Sequence, residues 1–192
     1  RNLLVRDIVP SCSDKKWKDI TIENLSDMTT GHYKSTIYYG DEDSLASANF
    51  IFNDLSHEEK VNFSCNYYPK KKKPGAEFVY HTSDTYLIGT TLNNLLSDKE
   101  EDDYFHDLLV PIFDYHNFSE KIKFTRRTND PREQPYTGWG MFLNRDDLMK
   151  LNSLLKSPKK YDFFSKDFLD EGLQQSDDSC LLYTSPSPRD RG

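Results

Sequence analysis

The 192-residue chain is 35% hydrophobic and 30% charged, with a formal net charge of −7. Its length suits one ordinary domain, and 12 Tyr, 12 Phe and 2 Trp supply bulk for a core in an otherwise polar composition. The acidic balance argues against a nucleic-acid partner, and no apolar run approaches the roughly 20 residues that a membrane span needs.

In chain order, residues 1–31 read as a short helical end, a loop and a helix. Thr21 caps that helix, Ile20 and Leu25 are spaced to staple it, and Gly31 is free to end it in a left-handed conformation. Residues 44–65 hold two short helices, the second capped by Ser56. Lys70–Gly75 is a solvated turn. Val79–Thr82 reads as extended and Ser83-Asp84 as a capping loop. A helix follows from about Thr85 to Leu96, with Ile88, Leu92, Leu95 and Leu96 as its buried stripe. Gly89 inside it costs roughly 1 kcal/mol relative to Ala, which predicts close packing there.

Beyond a solvated acidic link, Asp103–Val110 reads as a helix ended by Pro111, and Lys121–Thr125 as a strand in a polar, irregular stretch. Gly138-Trp139-Gly140-Met141 is a tight passage into a helix capped by Asn144 with Asp147 three residues on. Leu143 and Leu148 are spaced to staple it, and Leu148, Leu151, Leu154 and Leu155 form its buried face. A last weak helix is predicted over Lys166–Gln174. As a complete soluble domain this pattern would be a helical bundle.

The tail Cys180–Asp190 is similar to a translated sequencing adapter, so residues 180–192 are set aside from the fold reading. Without them the formal charge is about −8. On this expectation the gene continues past Ser179; Arg1 in place of Met leaves a truncated start as open as a cytoplasmic address. Two cysteines remain, Cys12 and Cys65, with no metal-ligand spacing, and sequence leaves their pairing undecided. The five histidines form no ligand pair of the HExxH kind, and there is no GxSxG elbow or Gly-rich phosphate loop. The residues alone show no catalytic centre.

Three segments, taken in order, resemble the β-lactamase-related serine hydrolases. Asp7-Ile8-Val9-Pro10, Trp17 and Asp19–Gly31 are similar to the family's segment after the nucleophile helix. Pro74–Gly89 looks like its Tyr-x-Asn element and the glycine-containing helix behind it. Gly138–Leu148 looks like its glycine-rich turn and Thr-x-x-Asp-Leu helix. The flavour is that of the class C-like branch with carboxylesterases and 6-aminohexanoate-oligomer hydrolases. The resemblance implies a mainly α fragment of an α/β, β-lactamase/transpeptidase-like fold: residues 1–179 as a helical lobe lacking most of the sheet. It implies an extracytoplasmic or periplasmic setting, a small ester or amide as substrate of the parent protein, an acyl-serine intermediate, and neither metal nor cofactor.

In that family a Ser-x-x-Lys helix carries the nucleophile, and a tyrosine completes the site. A nearby ammonium favours the phenolate, which takes the serine proton and hands it to the leaving group. The resemblance makes Tyr80 this catalytic tyrosine. It makes Thr82 the substrate-binding residue, where the family has Asn; one hydroxyl replaces an amide fork, which suits an esterase or amidase better than a lactam hydrolase. Three Ser-x-x-Lys strings precede the tail: Ser13–Lys16 in a polar loop, Ser153–Lys156 at a helix end, and Ser157–Lys160 broken by Pro158. None stands ahead of the tyrosine on a buried helix. The nucleophile is therefore expected before Arg1, with the fragment inactive. The alternative is a non-catalytic helical interaction domain.

Overall fold

Three helix starts stand where the capping residues place them. The structure, a computed structural model, describes residues 2–35, 37, 39–96 and 103–156. It divides into two compact units, Arg1–Phe142 and Leu143–Gly192. Among the described residues it is mainly helical, without strands; three isolated antiparallel bridges join Leu4 to Thr21, His32 to Lys70 and Arg127 to Pro135.

The first unit opens with α1 (Val5–Ile8), two 3-10 turns at Pro10–Cys12 and Lys15–Trp17, and α2 (Ile22–Ser26). Thr21 and Asn24 cap α2 reciprocally, at 3.1 and 3.3 Å, and Ile20 and Leu25 are fully buried. The helix ends sooner than expected. Met28, with φ 52°, takes the left-handed position, while Thr29 N–H bonds the Asn24 carbonyl and Met28 N–H that of Leu25. Gly31 is also left-handed, but for a different reason: a Cβ there would overlap the Lys72 carbonyl.

Next come α3 (Leu45–Phe52) and α4 (His57–Asn66). Ser56 and Glu59 form the capping box that starts α4. Cys12 and Cys65 are joined in a disulfide, which the sequence left open. It ties the Pro10–Cys12 turn to α4, with Trp17 Nε1 donating to the Cys65 carbonyl at 2.7 Å.

The long helix α5 (Thr82–Leu96) packs on α1, α2 and α4. It starts three residues before the predicted Thr85, so Thr82, Ser83 and Asp84 are helical and buried, not extended or looped. Its expected leucine stripe is also corrected: Leu95 and Leu96 are 49% and 39% exposed. Neighbours surround the first three turns, which bury Tyr86, Leu87, Gly89, Thr90, Thr91 and Asn93, so no single apolar face marks the inside. The polar members bond internally: Thr90 Oγ1 donates to the Tyr86 carbonyl at 3.1 Å, and Asn93 Nδ2 to Gln134 Oε1 at 2.9 Å.

Pro111 does not end a helix. A π-helical turn at Phe105–Leu109 leads into α6 (Val110–Tyr115), and Pro111 lies in its first turn, where a missing N–H is tolerated. The strand predicted at Lys121–Thr125 is instead a 3-10 turn, Glu120–Lys123. Lys123 reaches Glu120 three residues back at 2.7 Å, the spacing that aligns in such a turn.

In the second unit, α7 (Arg145–Lys156) has the predicted cap. Asn144 and Asp147 bond reciprocally at 2.8 and 3.3 Å. Its buried face runs through Asp147 and Leu154, seven apart; Leu148, one position off that line, is 56% exposed, and so is its supposed staple partner Leu143 in good part. The predicted helix at Lys166–Gln174, the Ser157–Lys160 string and the tail lie outside the described residues.

The disulfide spans 53 residues, and the loop-entropy relation assigns such a closure about 4 kcal/mol. Replacing both Cys12 and Cys65 by Ser is expected to lower unfolding stability by about that amount, read by urea denaturation. An unchanged midpoint would contradict a structural role for the bridge.

Candidate functional site

The head of α5 carries the two residues singled out by resemblance. Thr82 is its first residue, and Tyr80 stands two positions before it, half-buried. The Tyr80 ring lies 5.8 Å from that of Tyr39, and no hydrogen bond of its hydroxyl is found among the described residues. Burial pushes the phenols of Tyr68, Tyr86 and Tyr104 up from their usual value, which disfavours the phenolate.

Two adjacent carboxylates hold the helix head. Glu42 accepts from both the Thr82 N–H and the Thr82 hydroxyl, each at 2.8 Å, and so caps α5 from 40 residues away. Thr82 therefore does not face an open groove beside Tyr80: it is buried and turned to Glu42. Being helical, Thr82 also lacks the alternation by which residues two apart in the expected extended segment would face the same way.

Asp41 accepts from Lys34 N–H, Ser35 N–H and His81 Nε2, each at 2.9 Å. An ionised carboxylate only accepts, so His81 Nε2 carries the proton. The His81 ring stacks on Tyr68 with centroids 4.1 Å apart. Sequence pattern gave no sign of this pair: Asp41 and His81 are distant in the chain, and nothing in either neighbourhood is periodic. Asp84, one turn along, is fully buried and accepts from the Thr30 hydroxyl at 3.4 Å. Burial pushes its carboxyl up to about 6, against the favourable pull of His81.

The glycine passage lies against this same helix. A Cβ on Gly89 would overlap the Thr137 hydroxyl, and one on Gly138, whose φ is 91°, would overlap that of Thr85. The close packing predicted at Gly89 is thus present, and its partner is the residue before Gly138. Beside it opens a pocket of about 450 Å³ lined by Tyr104, Phe105, Leu109, Tyr136, Trp139 and Met141, with Gly138, Gly140, Thr125 and Thr137. Arg126 stands over the Trp139 ring at 4.8 Å.

Two Ser-x-x-Lys strings fall within the described residues. Ser13 is exposed at the end of a 3-10 turn, and Lys16 is committed to the carbonyls of Asn66 and Tyr68 at 3.1 and 3.2 Å. Ser153 is exposed on α7. The lysine that sequence reasoning missed is Lys60. It is buried, donates to the Phe50 carbonyl and lies 4.7 Å from the Phe50 and Tyr136 ring centres; burial lowers it to about 8. No group of three or more His, Cys, Asp or Glu clusters to hold a metal ion among the described residues, and no helix there is long and apolar enough to cross a membrane.

Compared with known proteins, the chain matches no family model, no curated protein and no solved structure.

Asp84 gives a pH dependence with a defined sign. Its folded value, about 6, lies above the ordinary 3.8, so burial of the ionised form costs stability progressively as pH rises from 3.8 through about 6. Asp84→Asn keeps the acceptor for Thr30 and removes that charge. Its stability relative to wild type should rise by about 2 kcal/mol between pH 4 and pH 8. Denaturant unfolding at both pH values measures the change; a constant difference would show that Asp84 titrates normally.

Proposed function

We propose that this chain is the tyrosine-bearing helical lobe of an α/β serine hydrolase that cleaves an ester or amide through an acyl-serine. The observation that carries the reading is the meeting of two separated segments on a third. α2 and the glycine passage were picked from the sequence as marks of the β-lactamase-related family apart from the Tyr80 element, and both pack on α5, the helix continuous with that element.

In this reading Tyr80 is the base. Its hydroxyl, half-buried and unclaimed among the described residues, is available to an incoming serine Oγ–H. A lysine beside that serine would favour the phenolate, which takes the serine proton during attack on the carbonyl and returns it to the departing oxygen or nitrogen. Thr82 supports the helix head instead of the substrate: it is buried, and its N–H and hydroxyl both donate to Glu42. The serine and lysine themselves would come from outside these 192 residues, because Lys16 is spent on carbonyls and Ser153 lies on α7 behind the tyrosine in sequence.

A second reading, a helical interaction module without catalysis, is favoured by the disulfide-tied core of the first unit. A fluorophosphonate probe separates the two. The chain by itself should take up no label, and the parent protein should be labelled on a serine of an upstream Ser-x-x-Lys. Tyr80→Phe in the parent should then lower kcat about 10²–10⁴-fold with KM little changed. Stoichiometric labelling of Ser13 or Ser153, or an unimpaired Tyr80→Phe parent, would overturn the assignment.

A further inference from the structure

The turn after α6 presents an exposed asparagine. Asn117 N–H bonds the Asp114 carbonyl at 3.0 Å and Phe118 N–H that of Phe113 at 2.9 Å, which closes the helix with Asn117 left-handed, φ 54°. Glycine or asparagine commonly fills this position. Phe118 is buried against Phe113, with ring centroids 5.4 Å apart, so the turn is anchored from below while Asn117 is exposed. Ser119 follows, and Asn117-Phe118-Ser119 is an Asn-x-Ser acceptor sequence without proline.

Two other such sequences are present, and the fold treats them differently. Asn24 lies inside α2 and is only half-exposed. Asn62 lies inside α4, and its partner Ser64 is buried and donates to the Lys60 carbonyl. Only Asn117 of the three sits in an exposed turn. The Cys12–Cys65 disulfide is an independent pointer to the compartment, since such bridges form and persist where oxidising machinery acts. The secretory lumen, one such compartment, also holds the machinery that modifies Asn-x-Ser/Thr.

We infer that Asn117 is an N-glycosylation site. Its Nδ2 forms a bond to C1 of an oligosaccharide carried on a lipid pyrophosphate. The C1–O bond to the pyrophosphate breaks, the pyrophosphate leaves with the electron pair, and one amide proton is given up to a base of the transferase. The glycan would stand on the outer side of the α6 turn, clear of the buried Phe118. The inference is independent of the hydrolase reading.

The test is translation of the full chain, directed by an appended leader into endoplasmic-reticulum microsomes. Peptide N-glycosidase treatment in heavy-oxygen water and peptide mapping follow. The expected result is a labelled Asp at position 117, lost in Ser119→Ala and kept in Ser119→Thr. Imported protein with Asn117 bare, whether or not Asn24 or Asn62 carries sugar, would overturn the inference.

Discussion

Two neighbouring carboxylates at the head of one helix set the geometry on which the rest of the first unit depends. Glu42 caps α5 by taking both donors of Thr82, and Asp41 takes a ring N–H from His81 and two backbone N–H groups from its own loop. Helix N-termini favour negative charge, so the arrangement is electrostatically coherent even though it brings carboxylates close to a buried helix. It binds the 34–42 segment to α5 and leaves Tyr80, just outside the helix, beside Tyr39. Farther along, Gly89 and Gly138 allow the 137–140 passage to lie directly on the same helix. A side chain at either glycine would push the passage away and reshape the aromatic pocket beside it.

Much of this was legible in the sequence where the controlling interaction is local. Thr21, Ser56 and Asn144 each act within three residues of themselves, and all three caps are where the pattern puts them. Gly89 was legible too, because glycine inside a helix needs a packing reason. The beginning of α5 was not. Its cap is Glu42, 40 residues away, and a carboxylate in a polar loop reads as solvated until the fold brings it to a helix end. The leucine stripe misled for a related reason. A helix surrounded on several sides hides small polar residues such as Thr90 and Asn93, and leucines at its far end are left exposed. Pro111 was read as a stop because local rules do not anticipate a π-helical turn ahead of it.

The candidate site divides along the same line. Tyr80 and Thr82 came from resemblance, not from any periodicity, while the Asp41–His81 pair, Asp84 and Lys60 became visible only through tertiary burial. Lys60 illustrates how burial and function separate. Its ammonium is satisfied by one carbonyl and two aromatic faces, an arrangement that explains why it is inside without assigning it chemistry. Tyr80 is the reverse case, with a phenol the fold leaves uncommitted among the described residues. The proposed hydrolase reading rests on that contrast and on the packing of α2 and the glycine passage against the helix that continues the Tyr80 element.

The most direct measurement is the crystal structure of the parent protein with a phosphonate bonded to its nucleophile. The account predicts the Tyr80 hydroxyl within about 2.6–3.2 Å of the serine Oγ, with α5 still capped by Glu42. A different tyrosine at the serine, or Tyr80 turned away from it, would contradict the account.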